Sequence, residues 1–246
     1  MATRDKSDST APVVAGQVKA PASAASEIDA FIATVRSKVP GPRTGVRGRL
    51  LFAMDATMSR QPTWDRAMSI QAEMFNETAR IGGLDVQLVY FRGFGECKAS
   101  PWVGNPAALA RLMTRVDCRG GYTQIAKVLG HVRREAAKGK INAVVYVGDA
   151  FEEGIDDVCR TAGEIGLLGV PFFMFLEGRD GLAERAFREI ARLTHGAFLR
   201  LDADSAHQLR DLLSAVAVYA AGGQQALKDY ADARGGHSSL LLQQMK

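Results

Sequence analysis

The chain has 246 residues, 47% of them hydrophobic and 24% charged, with 31 Lys and Arg against 27 Asp and Glu for a formal net charge of +4; this balance is ordinary for a globular protein and the length suits one domain. The basic residues form no block, which argues against nucleic acid as a partner, and no apolar run approaches the roughly 18 residues expected of a membrane span. Three cysteines, Cys97, Cys118 and Cys159, without a CxxC pair or histidines at ligand spacing, exclude a disulfide framework and a zinc cluster and fit a reducing cytoplasm.

Residues 1–25 are rich in Ala, Ser, Thr and Pro and are expected to form a flexible tail. Ser26-Glu27-Ile28-Asp29 has the form of a capping box ahead of Phe31, Ile32 and Val35. Residues 26–48 therefore read as a short leading helix, closed by Pro40-Gly41-Pro42, and a linker. The domain itself is expected over residues 49–225. Its first strand, Leu50-Leu51-Phe52-Ala53-Met54, is continuously apolar, the pattern of a strand buried on both faces, and it stops at Asp55. Ala67, Ile70, Met74 and Phe75 then recur at helical spacing up to the breaker pair Gly82-Gly83. Residues 84–91 read as a strand, with residues 93–102 returning as an antiparallel edge.

Asn105-Pro106 opens the next helix, a cap residue before a proline suited to the first helical position, and Leu109, Leu112 and Met113 continue it. Gly120-Gly121-Tyr122-Thr123 makes a loop, followed by a helix marked by Ile125, Val128, Leu129 and Val132 that ends near Lys138-Gly139. Residues 141–147 form a second buried strand, which stops at Gly148-Asp149. A helix over 155–168, a strand over 170–176, a helix over 182–193, a strand over 197–201 and a helix from 205 to about 221 complete the pattern. Residues 226–246 are expected as a C-terminal tail. Strands alternating with helices predict an α/β fold: a doubly wound, mainly parallel sheet with helices on both faces.

In such sheets ligands bind beyond the carboxyl ends of the strands, where the loops converge. Two acids stand at such ends, Asp55 and Asp149. Asp55-Ala56-Thr57-Met58-Ser59 sets one carboxylate and two hydroxyls at alternate positions, an oxygen donor set of the kind a hard divalent cation takes. Thr123, in its glycine-flanked loop, adds a third hydroxyl. Each of Thr57, Ser59, Thr123 and Asp149 has a plainer reading as a residue that caps a helix or turn; their joint occurrence at two strand ends and an intervening loop favours the metal. Arg60, Tyr122 and Glu152 flank the set and are candidate partner contacts.

The pattern resembles the metal-ion-dependent adhesion site of von Willebrand factor A domains, in which an apolar strand ends in Asp-x-Ser-x-Ser, a later loop supplies a threonine and a later strand ends in an aspartate. Residue by residue, Asp55, Thr57 and Ser59 match the first motif, Thr123 the threonine and Asp149 the second aspartate; Thr57 stands where serine is usual and keeps the hydroxyl. The match covers roughly residues 49–221 and resembles the stand-alone bacterial type. It implies a bound Mg²⁺ or Mn²⁺, a protein partner that offers an acidic side chain to the metal, and an assembly or adaptor role of the kind associated with AAA+ ATPase complexes. No catalytic residue is implied. Two other functions compete with it. A phosphatase of the haloacid-dehalogenase type also uses an aspartate at the end of its first strand but needs Asp-x-Asp, and position 57 is threonine. An RNA-associated scaffold needs a basic stripe with interleaved aromatics, which the chain lacks.

Overall fold

The computed structural model describes residues 47–201 and 206–234. The expected tail over residues 1–25, nearly all of the segment 26–48 and residues 235–246 lie outside the described part. Six strands form one sheet: β1 (Gly48–Asp55), β2 (Leu84–Arg92), β3 (Glu96–Val103), β4 (Ala143–Gly148), β5 (Phe172–Glu177) and β6 (Ala197–Leu201), in the spatial order β3-β2-β1-β4-β5-β6. Every pairing is parallel except β2 with β3, which is antiparallel and shifts register between Gln87 and Val89. The helices are α1 (Gln61–Thr78), α2 (Pro106–Met113), α3 (Ile125–Lys138), α4 (Ile155–Leu167), α5 (Gly181–Leu193) and α6 (Ala206–Arg234). This is the doubly wound, mainly parallel α/β sheet expected from the sequence.

The unbroken apolar run of β1 follows from helices on both faces of the sheet. Leu50, Phe52 and Met54 pack with Trp64, Ile70 and Met74 of α1, Leu109 of α2 and Leu213 and Val216 of α6. Leu51 and Ala53 point the other way, into a second core with Val128 of α3, Ile165 of α4 and Phe187 of α5. Period-two alternation along one strand thus feeds two cores. Trp64 is 2% exposed and its indole N–H donates to the Met113 carbonyl at 3.3 Å, joining α1 to α2; truncating such a side chain to Ala costs about 3 to 5 kcal/mol.

Breakers act where the chain must turn. Gly82 and Gly83 take φ of 118° and 82° after a 3-10 turn that ends α1, a backbone region open to glycine at no steric cost. Asn105 caps α2, its side chain accepting from the Ala108 amide at 2.8 Å. One expectation needs correcting: residues 226–234, read as tail, are helical. The helix breaks at Gly223 (φ 75°, ψ −162°) and resumes to Arg234. Ala226 and Tyr230, four residues apart and partly buried against the core, hold that continuation down.

Candidate metal centre

β1 pairs in parallel with β4 so that Met54 stands beside Val147. The acids that follow, Asp55 and Asp149, therefore emerge at the same end of the sheet. β1 has β2 on its other side, so the loops after β1 and β4 leave in opposite senses and open a crevice between them.

Asp55 is 2% exposed. Its carboxylate accepts the Thr57 amide at 2.7 Å. Burial pushes its pKa up to about 7, against the pull of the Thr57 amide and hydroxyl; the Asp149 charge raises it further and the Arg60 charge lowers it. Thr57 has extended backbone (φ −75°, ψ 162°) and a 3-10 turn over Met58–Arg60 follows, which turns Ser59 back toward it. The Thr57 and Ser59 hydroxyl oxygens lie 3.2 Å apart, and Ser59 Oγ donates to Asp149 Oδ2 at 3.0 Å. Asp55, Thr57, Ser59 and Asp149 thus form one continuous polar chain across the crevice.

None of Thr57, Ser59, Thr123 and Asp149 caps a helix with its side chain. Thr57 precedes the 3-10 turn without a side-chain cap bond, and the residue before α4 is Gly154, not Asp149. Thr123 does not cap α3 either: its hydroxyl accepts the Glu152 amide at 2.9 Å, and its own amide donates to the Glu152 carboxylate at 2.9 Å. The cap comes from across the crevice, where the Glu153 carboxylate accepts the amides of Ile125 and, at 2.9 Å, Ala126. Thr123 is braced to the loop that carries Asp149, and among the described residues no hydrogen bond joins it directly to the other four.

The three candidate partner contacts divide. Tyr122 is 57% exposed and stands edge-on to Phe94, 84% exposed, with ring centroids 5.3 Å apart. Their loops touch through backbone: the Tyr122 amide donates to the Gly93 carbonyl at 3.1 Å, and a Cβ on Gly121 would stand 2.2 Å from the Gly93 backbone. Glu152 is exposed, but its carboxylate is engaged with Thr123. Arg60, expected to face outward, is turned in, its side chain only 12% exposed and set between Asp149 and Glu177. The reason is charge: two part-buried carboxylates lie within reach of a side chain that carries an obligatory positive charge.

Sequence reasoning missed Met58, Phe94 and Glu177. Met58, 68% exposed, is the apolar residue between the two hydroxyls, and Phe94 sits in a Gly-Phe-Gly turn. Glu177 ends the apolar run of β5 as Asp55 ends that of β1, a signal that was present and unread.

The donor set fits a hard divalent cation. Asp55 is a buried carboxylate with no ion pair among the described residues, and hydroxyls stand between it and the second carboxylate. Among the described residues no group of three or more His, Cys, Asp or Glu is arranged to hold a metal ion; the donors gathered here are two carboxylates and neutral hydroxyl oxygens, the oxygen class a hard cation takes.

No protein-family model and no curated protein sequence matches the chain. Solved structures do: a von Willebrand factor type A protein from Catenulispora acidiphila superposes with a TM-score of 0.56 at 15% identity, covering 71% of this chain and 42% of that one. The fold is that of a von Willebrand factor A domain. The VWA domain of SpRpn10 is similar at a TM-score of 0.52 and 14% identity, covering 73% of this chain and 98% of that domain. Proximal thread matrix protein 1 of the mussel byssus, in a structure with a zinc occupied MIDAS motif, is similar at 0.55 and 18%, covering 72% and 48%. The chain therefore spans less than half the length of two of these three structures, and at such identities the likeness is one of fold. Among the described residues no helix is long and apolar enough to cross a membrane.

Proposed function

We propose that the chain is a divalent-metal-dependent protein-interaction module, a cytoplasmic adaptor or assembly factor rather than an enzyme. The observation that carries this reading is the continuous set Asp55, Thr57, Ser59 and Asp149 at the ends of two adjacent strands, with none of the four spent on capping a helix. The oxygens of Asp55, Thr57, Ser59 and Asp149 would hold a divalent cation such as Mg²⁺ or Mn²⁺, which would supply a Lewis-acidic point for a carboxylate of the partner. Asp55 and Asp149 supply the negative charge, the hydroxyls of Thr57 and Ser59 fix the spacing, and the Thr123–Glu152 brace holds the third loop in place. Met58, Phe94 and Tyr122 put exposed apolar surface on the loops that carry and flank the set, surface of the kind a protein partner covers.

The non-catalytic reading is supported by the lack of a second acid at position 57 and by the histidines. His131 bonds Gln87 at 2.8 Å and His207 pairs with Asp211 at 3.0 Å, partners outside the proposed centre. A complex built around an AAA+ ATPase is the kind of assembly such an adaptor serves.

Calorimetric titration with Mg²⁺ and Mn²⁺, and capture of partners from the native cell with metal and with EDTA, test the proposal. Wild type is expected to bind one cation and to capture partners only with metal, and folded Asp55→Ala to do neither. Equal capture by that variant in EDTA and by wild type in Mg²⁺ sinks the proposal.

A further inference from the structure

Arg60 follows the last hydroxyl of the Asp55–Ser59 turn and closes the 3-10 turn, its amide donating to the Thr57 carbonyl at 2.9 Å. Its guanidinium reaches two acids at once. Nε lies 3.1 Å from Asp149 Oδ2, and Nη1 lies 2.6 Å from Glu177 Oε2. Glu177, 8% exposed at the end of β5, also accepts the Thr63 hydroxyl of α1 and has Arg66 at 3.8 Å.

Two details make this more than a surface ion pair. Asp149 Oδ2, the oxygen that faces Arg60, is also the one that accepts Ser59 Oγ at 3.0 Å, so the hydroxyl and the guanidinium share one carboxylate oxygen. Arg60 Nε and Nη1 are buried and yet neither makes a hydrogen bond of good geometry, although both stand within ion-pair distance. Charge rather than directed bonding holds the guanidinium at Asp149. Leaving Asp149 therefore costs it no well-aligned bond, and Glu177 remains to receive it.

We infer that Arg60 is a resident cation of the centre: it occupies Asp149 when no metal is bound, competes with a divalent ion for that carboxylate, and is drawn aside by Glu177 when the ion enters. The inference rests on the proposed metal site and adds what sets its affinity. A positive side chain next to a divalent ion repels it, and in a part-buried crevice that repulsion is screened far less than at an open surface. A module so built binds its cation weakly enough for occupancy to follow the free metal or the arrival of a partner carboxylate. A purely structural Arg60, stitching β4, β5 and α1 together, predicts a stability loss on substitution with no change in metal affinity.

The test uses the full chain and four variants, with Mn²⁺ affinity from calorimetry and melting temperature in EDTA and in Mn²⁺. Arg60→Met is expected to bind Mn²⁺ about tenfold more tightly, to melt lower in EDTA and to gain more from the metal. Arg60→Lys keeps the charge and stays near the wild-type affinity. Glu177→Gln still accepts Thr63 but strands Arg60 on Asp149, so it binds about tenfold more weakly; in the double variant with Arg60→Met, Glu177→Gln has no effect on affinity. Should Arg60→Met fail to fold, Glu177→Gln alone decides, and a wild-type affinity overturns the inference. If wild type and Arg60→Met bind Mn²⁺ equally, this inference falls and the metal site stands. Binding by Arg60→Met but not by wild type upholds the inference with Arg60 as a full block, and binding by neither removes both.

Discussion

β1 and β5 finish in the same way, an unbroken apolar run and then a buried acid, and the two acids meet opposite fates. Asp55 is 2% exposed and Glu177 8%. Glu177 is enclosed by the chain's own donors: Arg60, the Thr63 hydroxyl and Arg66. Asp55 receives the Thr57 amide and hydroxyl and no ion pair among the described residues, and burial pushes its carboxyl up to about 7. The difference lies in what the neighbouring helix offers. The first turns of α1 carry Thr63 and Arg66 and lie over the end of β5, whereas Asp55 faces the hydroxyl turn that leads into α1. A carboxylate paired with counter-charges from within holds the fold together; one left without an ion pair is what the proposed metal centre would draw on.

The sharpest way to break that contrast is to remove each acid in EDTA and follow urea unfolding. Glu177→Ala is expected to cost about 3 kcal/mol, since it leaves part-buried Arg60 without its nearer counter-ion, whereas Asp55→Asn at pH 7 leaves stability unchanged or raises it. The sign follows from linkage. The folded Asp55 carboxyl titrates near 7 against an ordinary 3.8, so it keeps a proton the unfolded chain has lost. The stability it contributes is complete below about pH 3.8 and is lost as pH rises through about 7. Wild type should therefore weaken over that window in EDTA, and Asp55→Asn should not; parallel pH curves for the two proteins would show that Asp55 is satisfied internally after all.

A smaller effect sharpens the contrast at the third loop. Thr123→Ala removes the acceptor of the Glu152 amide and is expected to cost about 1 kcal/mol, with a modest weakening of Mn²⁺ binding. A loss of cation binding as complete as that expected of Asp55→Ala would make Thr123 an equal member of the centre rather than a brace beside it. The smallest change in stability belongs to the rim: Phe94→Ala and Tyr122→Ala should each move unfolding by no more than about 0.5 kcal/mol, while lowering metal-dependent partner capture. Unaltered capture would remove the aromatic pair from the proposed interface.

Much of this was legible in the sequence because the forces are local or periodic. The doubly buried strands ending at Asp55 and near Asp149, the Asn105-Pro106 helix start and the Gly82-Gly83 stop all rest on side-chain period or backbone steric limits, and the structure has them there. What escaped depends on contacts between distant segments. Arg60 flanks the motif, yet its direction is set by Asp149 and Glu177, residues 89 and 117 positions further along the chain. The cap of α3 comes from Glu153 across the crevice rather than from the Thr123 loop. The helical stretch beyond Gly223 depends on Ala226 and Tyr230 finding the core, a spacing legible within residues 224–234 but cut off from the preceding helix by Gly222-Gly223.

The parallel pairing of β1 with β4 joins Ser59 to Asp149 across 90 positions of chain. Such a contact closes a large loop, and its entropic cost falls due before any cation can reward it. The centre therefore has no counterpart in the unfolded chain or in an intermediate that pairs only β1 with β2. A metal bound there is expected to act on the clock of unfolding rather than that of folding: stabilisation by Mg²⁺ or Mn²⁺ appears as a slower unfolding arm, with the refolding rate almost untouched.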